Sequence, residues 1–310
     1  MDIPPRDCLE RHMRTDVEFV TEDQTTLRGW LYEPEGEGPA PTVVMSHGFS
    51  ATKEMHLDDF AEVFSAAGLA VLVYDHRNFG ASDGVLRGEI DPWQQIRDSR
   101  DAITWAAEQP AVDEGRIGVW GSSYSGGHVL VLGAIDRRIR CVVSQAPAIS
   151  GLANVRRLVR ADQFAPLRAG FDADRAGRAA GQPPLTIQVA YENDPSEPAA
   201  LPTQDTHDYF LTTAAERAPS WRNEVTLRSV EMLTEYEPGA YIANISPTPL
   251  MMVVASQDHV TPTDLALSAY SRALEPKSLL LLDAGHFEVY SGPNFERSSA
   301  AQRDWFLTHL

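Results

Sequence analysis

Gly121-Ser122-Ser123-Tyr124-Ser125-Gly126 follows an apolar run, Arg116–Trp120, and opens a stretch to Ile135 that is dense in Gly, Val and Leu. A buried strand that turns sharply into a helix holds a serine hydroxyl on a strained corner. The residues two before and two after that serine must be small, because strand and helix pass closely. Three serines compete for the corner. Ser122 has Trp120 at its small-residue position, and Ser125 lies nearly a turn into the helix. Ser123, flanked at the required spacing by Gly121 and Ser125, is the candidate nucleophile.

A serine hydroxyl needs an adjacent base at neutral pH. Of the nine histidines, His286 directly follows the last apolar run, Ser278–Leu282, where the base of a Ser–acid–His chain order stands. The third member must accept a proton bond from the imidazole and stabilise its charged form. Asp258 lies just after the run Pro249–Ala255, in Ser256-Gln-Asp-His-Val-Thr-Pro262. Its rivals fit less well: Asp264 suits a helix start, Asp283 is too close to His286, and Ser144–Ser150 contains no carboxylate. The oxyanion of acyl transfer also needs preorganised N–H donors. These are expected from the backbone amides of Tyr124 and of Phe49, the latter in the loop His47-Gly48-Phe49-Ser50, with His47 supporting that loop.

Such groups meet only if strands and helices alternate around them. Thr42–Met45, Leu69–Tyr74, Arg116–Trp120, Ile139–Ser144, Pro249–Ala255 and Ser278–Leu282 read as buried strands. Helical spacing marks Glu54–Ala67, Asp91–Gln109, Ser123–Ile135, Thr263–Leu274 and Phe295–Leu310. Val17–Val20 and Thr26–Tyr32 read as an antiparallel hairpin at the start. The fold class is therefore α/β: a mostly parallel, eight-stranded sheet with helices on both faces. Residues 1–147 and 247–310 form this core. Residues 148–246 break the rhythm and are expected to be an inserted helical lid over the carboxyl end of the sheet. It should carry helices near Leu152–Phe171, Tyr209–Arg217 and Trp221–Tyr236, around a Pro-rich piece from Gly181 to Pro202. Its aromatic and apolar residues, Phe164, Phe171, Tyr209, Phe210, Trp221, Met232 and Tyr236, are candidates for pocket walls. Phe164, Trp221, Met232 and Tyr236 are the four selected as substrate contacts.

Composition narrows the partners. With 26 basic and 44 acidic residues the formal charge is −18, which disfavours nucleic acid and anionic membrane surfaces. Cys8 and Cys141 are expected to be free thiols in a reducing cytoplasm. The first fourteen residues lack the apolar stretch of a signal peptide, and no run is long enough to span a membrane. Asp75–Ser82 is expected to be a structural turn tied by Asp75 and Arg77, and His128 a packed core histidine. No metal-ligand spacing and no phosphate-binding glycine motif is present, so no metal or cofactor is expected. The expected partner is a small-molecule acyl substrate, with a homodimer possible.

Four pieces carry a resemblance: His47-Gly-Phe-Ser-Ala-Thr-Lys-Glu-Met55, Tyr74-Asp-His-Arg-Asn-Phe-Gly-Ala-Ser-Asp-Gly84, Trp120-Gly-Ser-Ser-Tyr-Ser-Gly-Gly-His128 and Gly285-His-Phe-Glu-Val-Tyr290. With them the chain resembles the α/β-hydrolases. More narrowly it is similar to the branch of Xaa-Pro dipeptidyl-peptidase-like and dienelactone-hydrolase-like hydrolases and fungal polyketide transferases. The resemblance covers about 210 residues outside the lid and implies ester, thioester or amide carbonyl chemistry. It implies Ser123, Asp258 and His286 as the triad, in agreement with the residues read above. The expected activity is a serine esterase working through an acyl-enzyme. An acyl or polyketide transferase, or a thioesterase, would use the same triad; a non-catalytic binding protein on the same fold is the alternative of another class.

Overall fold

The computed structural model describes residues 13–36 and 38–310; Cys8 and His12 lie outside them. Eight strands form one sheet: β1 (Met13–Val20), β2 (Thr26–Glu33), β3 (Ala40–Ser46), β4 (Ala70–Tyr74), β5 (Val112–Ser122), β6 (Ile139–Gln145), β9 (Leu250–Ala255) and β10 (Lys277–Leu282). Their spatial order is β1-β2-β4-β3-β5-β6-β9-β10, and all run parallel except β2, which is antiparallel to both its neighbours. The hairpin is the one expected, with Val20 opposite Thr26.

Alternation along the strands builds two cores. In β4, Ala70, Leu72 and Tyr74 enter one apolar cluster, while Val71 and Val73 enter the other. In β9, Leu250, Met252 and Val254 take the first side and Met251, Val253 and Ala255 the second. A strand apolar at every position is what a sheet covered on both faces demands. Helices α2 (Pro92–Ala107), α3 (Tyr124–Ile135) and α8 (Thr263–Arg272) cover the first side. Helices α1 (Leu57–Ala66) and α9 (Gly292–His309) cover the second with Phe60, Phe64 and Phe306. Cys141 is a buried, free thiol on that side.

Residues 146–249, between β6 and β9, hold α4 (Gly151–Leu158), α5 (Phe164–Ala179), α6 (Gln204–Glu216), α7 (Leu227–Thr234) and a two-residue pair, β7 (Thr186–Ile187) with β8 (Val225–Thr226). The single helix expected over Leu152–Phe171 is two. Val159 is extended (φ −92°, ψ 129°) and a 3-10 turn at Ala161–Gln163 separates them, although the apolar spacing runs through the break. The helix expected from Trp221 starts only at Leu227, because Thr226 pairs in β8 and its side chain caps α7 by accepting from Ser229 N.

This inserted segment docks on the exit of β3 and the start of α1. Tyr209 Oη donates to Met55 O (3.3 Å), Trp221 Nε1 donates to Ser50 O (3.0 Å), and the Arg217 guanidinium binds Asp58 and Asp59. Asp75 and Arg77, at the exit of β4, do tie loops. Asp75 accepts from Lys53 N (2.8 Å), Lys53 Nζ (2.6 Å) and Ala81 N (2.9 Å); Arg77 grips the buried Asp98 through two nitrogens, each at 2.6 Å. Burial opposes the Lys53 charge, but Asp75 and Glu54 outweigh it and raise the pKa above the usual lysine value. Among the described residues no helix is long and apolar enough to cross a membrane.

Candidate active site

Ser123 stands between β5 and α3 with φ 58° and ψ −117°, a conformation that costs a non-glycine residue energy. The neighbourhood over-determines it. Its N–H donates to Gln145 O (2.8 Å) and its carbonyl accepts from Ala148 N (2.9 Å), so both backbone groups are tied to the exit of β6. Any Cβ on Gly121 would run into the Ser125 carbonyl, which is why that position tolerates no side chain. Ser125 does more than stay small. Its buried hydroxyl donates to His47 O (2.5 Å), joining the turn to the loop after β3.

Strands β5, β9 and β10 deliver their three side chains to one edge of the sheet. His286 Nε2 lies 3.0 Å from Ser123 Oγ, and His286 Nδ1 lies 2.7 Å from Asp258 Oδ2. A carboxylate facing Nδ1 keeps the proton there and leaves Nε2 as the acceptor for the serine hydroxyl. Asp258 is itself fixed: Oδ1 accepts from Val260 N (2.9 Å) and Thr261 N (2.7 Å), and Oδ2 accepts from Thr261 Oγ1 (2.8 Å). Thr261 was not singled out in the sequence; the Asp-x-x-Thr spacing that lets a side chain bond its own turn was the available signal. His286 is 1% exposed and Asp258 6%, whereas Ser123 is half-open to the cleft.

Tyr124 is the first residue of α3, so its amide is among those a helix start leaves without an intrahelical acceptor. Gly48 lies against the serine: a Cβ there would stand 2.8 Å from Ser123 Cβ. The Phe49 amide belongs to the same peptide plane as the Gly48 carbonyl, and in a trans peptide the two point opposite ways. That carbonyl is held by His47 Nδ1–H (3.0 Å), because His47 Nε2 is occupied accepting from His76 N (3.0 Å). Fixing the carbonyl fixes the direction of the Phe49 N–H. His47→Leu is therefore expected to lower kcat about 100-fold, near the loss of one oxyanion donor, with KM little changed. His47→Asn, whose amide nitrogen can stand where Nδ1 does, is expected to recover most of it; steady-state kinetics on both variants checks this.

His47, His76 and His128 form a buried column behind the serine, with ring centroids 4.6 and 5.8 Å apart. His76 Nε2 faces Ser125 Oγ (3.0 Å); His128 bonds Tyr236 Oη (2.8 Å) and Gln95 Oε1 (2.9 Å). Burial lowers the pKa of all three, His76 well below the ordinary value and His128 down to about 3. The folded protein thus keeps them neutral while the unfolded chain protonates them near pH 6.5. Their contribution to stability is present above that pH and lost as pH falls toward the folded values. Urea unfolding at pH 7, 5.5 and 4.5 is expected to show each fully neutral histidine adding about 1.4 kcal/mol of destabilisation per pH unit below 6.5.

The cleft above Ser123 encloses about 370 Å³, counting the space at its mouth. Phe49, Met55 and Leu57 line it from the core, Leu201, Tyr209 and Phe210 from the inserted segment, and Phe287 and Tyr290 from the turn after His286. No lining residue carries a carboxylate, ammonium or guanidinium group. The four selected contacts, Phe164, Trp221, Met232 and Tyr236, stand elsewhere. Phe164 packs against the apolar core, and Met232 is half-buried on α7, away from the cleft. Tyr236 is fully buried beneath the serine on His128, and Trp221 stacks behind Phe210 at 5.2 Å, outside the cleft. Aromatic content cannot say which face of an inserted helix turns inward. Phe287 and Tyr290 were readable only as neighbours of His286.

A family model described as X-Pro dipeptidyl-peptidase (S15 family) matches residues 23–288. A thiohydrolase of Eupenicillium brefeldianum is 32% identical, over 91% of this chain and 90% of that protein. The polyketide transferase grgF of Penicillium sp is 33% identical, over 96% of this chain and 97% of its own length. The crystal structure of the α/β-hydrolase GrgF from Penicillium sp. sh18 superimposes with a TM-score of 0.82 at 32% identity, covering 96% of this chain and 99% of that one.

Proposed function

The chain belongs to the X-Pro dipeptidyl-peptidase (S15) family of α/β-hydrolases, and within it we propose a serine acyl hydrolase that cleaves an ester or thioester joined to an apolar acyl group. The observation that carries this reading is the unbroken chain from Ser123 Oγ through His286 Nε2 at 3.0 Å to Asp258 Oδ2, 2.7 Å from Nδ1. Ser123 attacks the carbonyl while His286 takes its proton. The amides of Phe49 and Tyr124 bind the oxyanion, His286 protonates the departing thiol or alcohol, and water releases the acid from Ser123. Asp258 holds the imidazole in the tautomer these steps require.

Removal of a dipeptide from a peptide's amino end would require a carboxylate to anchor the terminal ammonium, and the cleft offers none. Its walls instead suit a hydrocarbon. Each methylene buried there contributes about 0.8 kcal/mol, so kcat/KM for p-nitrophenyl esters is expected to rise roughly fourfold per added methylene until the cleft is full. A flat response to chain length would remove the apolar-acyl assignment.

Acyl transfer is the second reading, favoured by the likeness to a polyketide transferase. Turnover of an acyl thioester with and without added alcohol separates the two: free acid alone means hydrolysis, and an ester formed in proportion to the alcohol means transfer.

A further inference from the structure

Between the loop after β4 and residues 220–224 of the inserted segment lies a second open cleft of about 410 Å³ that contains none of the groups assigned to catalysis. We propose that it binds a small organic anion, a carboxylate or phosphate monoester carrying a flat apolar part.

Two guanidinium groups, Arg87 and Arg222, line it. Arg87 is set in place by donating to Ser82 O (2.6 Å) and Gly80 O (2.9 Å), and these bonds leave its remaining N–H groups free. Among the described residues neither arginine has a carboxylate within ion-pair distance, and no acceptor is assigned to the Arg222 side chain. Arg28, Arg77, Arg138, Arg157 and Arg217, by contrast, are all paired with acids. In a chain of net charge −18, two unpaired arginines facing one cleft are a local reversal of sign. Burial and the charge of Arg222 lower the Arg87 pKa in spite of Asp75 and Asp83. The acid on this wall, Glu224, bonds the Thr186 hydroxyl (3.0 Å).

The rest of the lining includes a small polar residue and an aromatic wall. Thr52 is 1% exposed and lines the cleft, with its hydroxyl beside the Glu54 carboxylate. The apolar wall is Phe79 with Trp221, whose ring is held by its bond to Ser50 O and by stacking on Phe210. Guanidinium forks match carboxylate and phosphate oxygens in bidentate geometry. The indole and phenyl groups accept a flat apolar body. Phe210 also lines the Ser123 cleft, so the two sites are neighbours that share a wall.

Calorimetric titration of the full chain with phenyl phosphate, phenylacetate and the neutral 2-phenylethanol tests the assignment. One-to-one, saturable binding of at least one anion is expected, with none for the alcohol. Arg222→Gln is expected to weaken it at least tenfold, R87Q/R222Q to abolish it, and Ser123→Ala to leave it unchanged. Preference for the phosphate would point to a phosphate-bearing ligand, and preference for the carboxylate to a free acid; either supports the site. No saturable binding below about 10 mM, binding indifferent to Arg222→Gln, or binding lost in Ser123→Ala would overturn it. Arg222 is exposed and its side chain donates to no acceptor among the described residues, so Arg222→Gln decides alone should Arg87→Gln fail to fold. Turnover at Ser123 is measured separately, so failure of this site leaves the serine-hydrolase reading standing.

Discussion

Ser123→Ala is expected to reduce kcat by roughly 10⁵- to 10⁶-fold while changing stability by less than about 0.5 kcal/mol. The hydroxyl is half-open to the cleft, so water can take its place beside His286 Nε2 when it is removed. The positive φ is the same for alanine as for serine. His286→Ala should cost about as much, and the double variant no more than either, because the two groups act as one unit. Labelling by a fluorophosphonate should disappear in Ser123→Ala and persist in Ser122→Ala. Ser122 Oγ is fully buried and bonded to Tyr290 Oη at 2.6 Å, and Ser125 Oγ is committed to His47 O. Undiminished turnover in Ser123→Ala, or labelling that moves to Ser122 or Ser125, would end the serine-hydrolase reading.

How far the sequence leads depends on whether a residue acts through the chain or across it. Ser123 and Gly121 were legible because an elbow is local: strand, small residue, serine and helix all lie between Arg116 and Ile135. The eight-stranded sheet was legible because a strand covered on both faces is apolar throughout, and β4 and β9 have no polar residue to confuse the pattern except Tyr74 at an end. The two-residue break after Leu158 was not legible, since apolar spacing continues across it and only the extended backbone at Val159 marks the stop. Of the candidate cleft walls, Tyr209 and Phe210 do line the cleft, and the rest were misplaced for a related reason. Trp221 and Tyr236 are large and lie in the inserted segment, but which cavity a side chain enters is set by docking contacts such as Arg217 on Asp58 and Asp59, far apart in sequence. Ser125 and Thr261 act through one hydroxyl each, and a hydroxyl announces nothing until its partner is placed.

Asp258→Asn carries the second large expected effect, a fall in kcat of about 10⁴-fold with KM nearly unchanged. The Asp258 side chain accepts from Val260 N and Thr261 N through one oxygen, so an asparagine would keep its carbonyl on those amides and turn its NH₂ toward His286. A donor at that position forces Nδ1 to accept, which moves the ring proton to Nε2. The imidazole then presents an N–H to Ser123 Oγ and has no lone pair to take its proton. Geometry survives and chemistry stops, which is why substrate binding should hold while turnover collapses. The rival acids make the contrast sharp. Asp264 is an exposed partner of Arg157, and Asp283 accepts from Gln257 Nε2 at 2.8 Å, so neither faces the imidazole. Asp264→Asn and Asp283→Asn should each stay within about threefold of the parent enzyme, the scale of ordinary surface substitutions. If Asp283→Asn instead gave the large loss and Asp258→Asn the small one, the acid would belong to the strand exit of His286 itself, and the tautomer argument would have to be rebuilt on that residue.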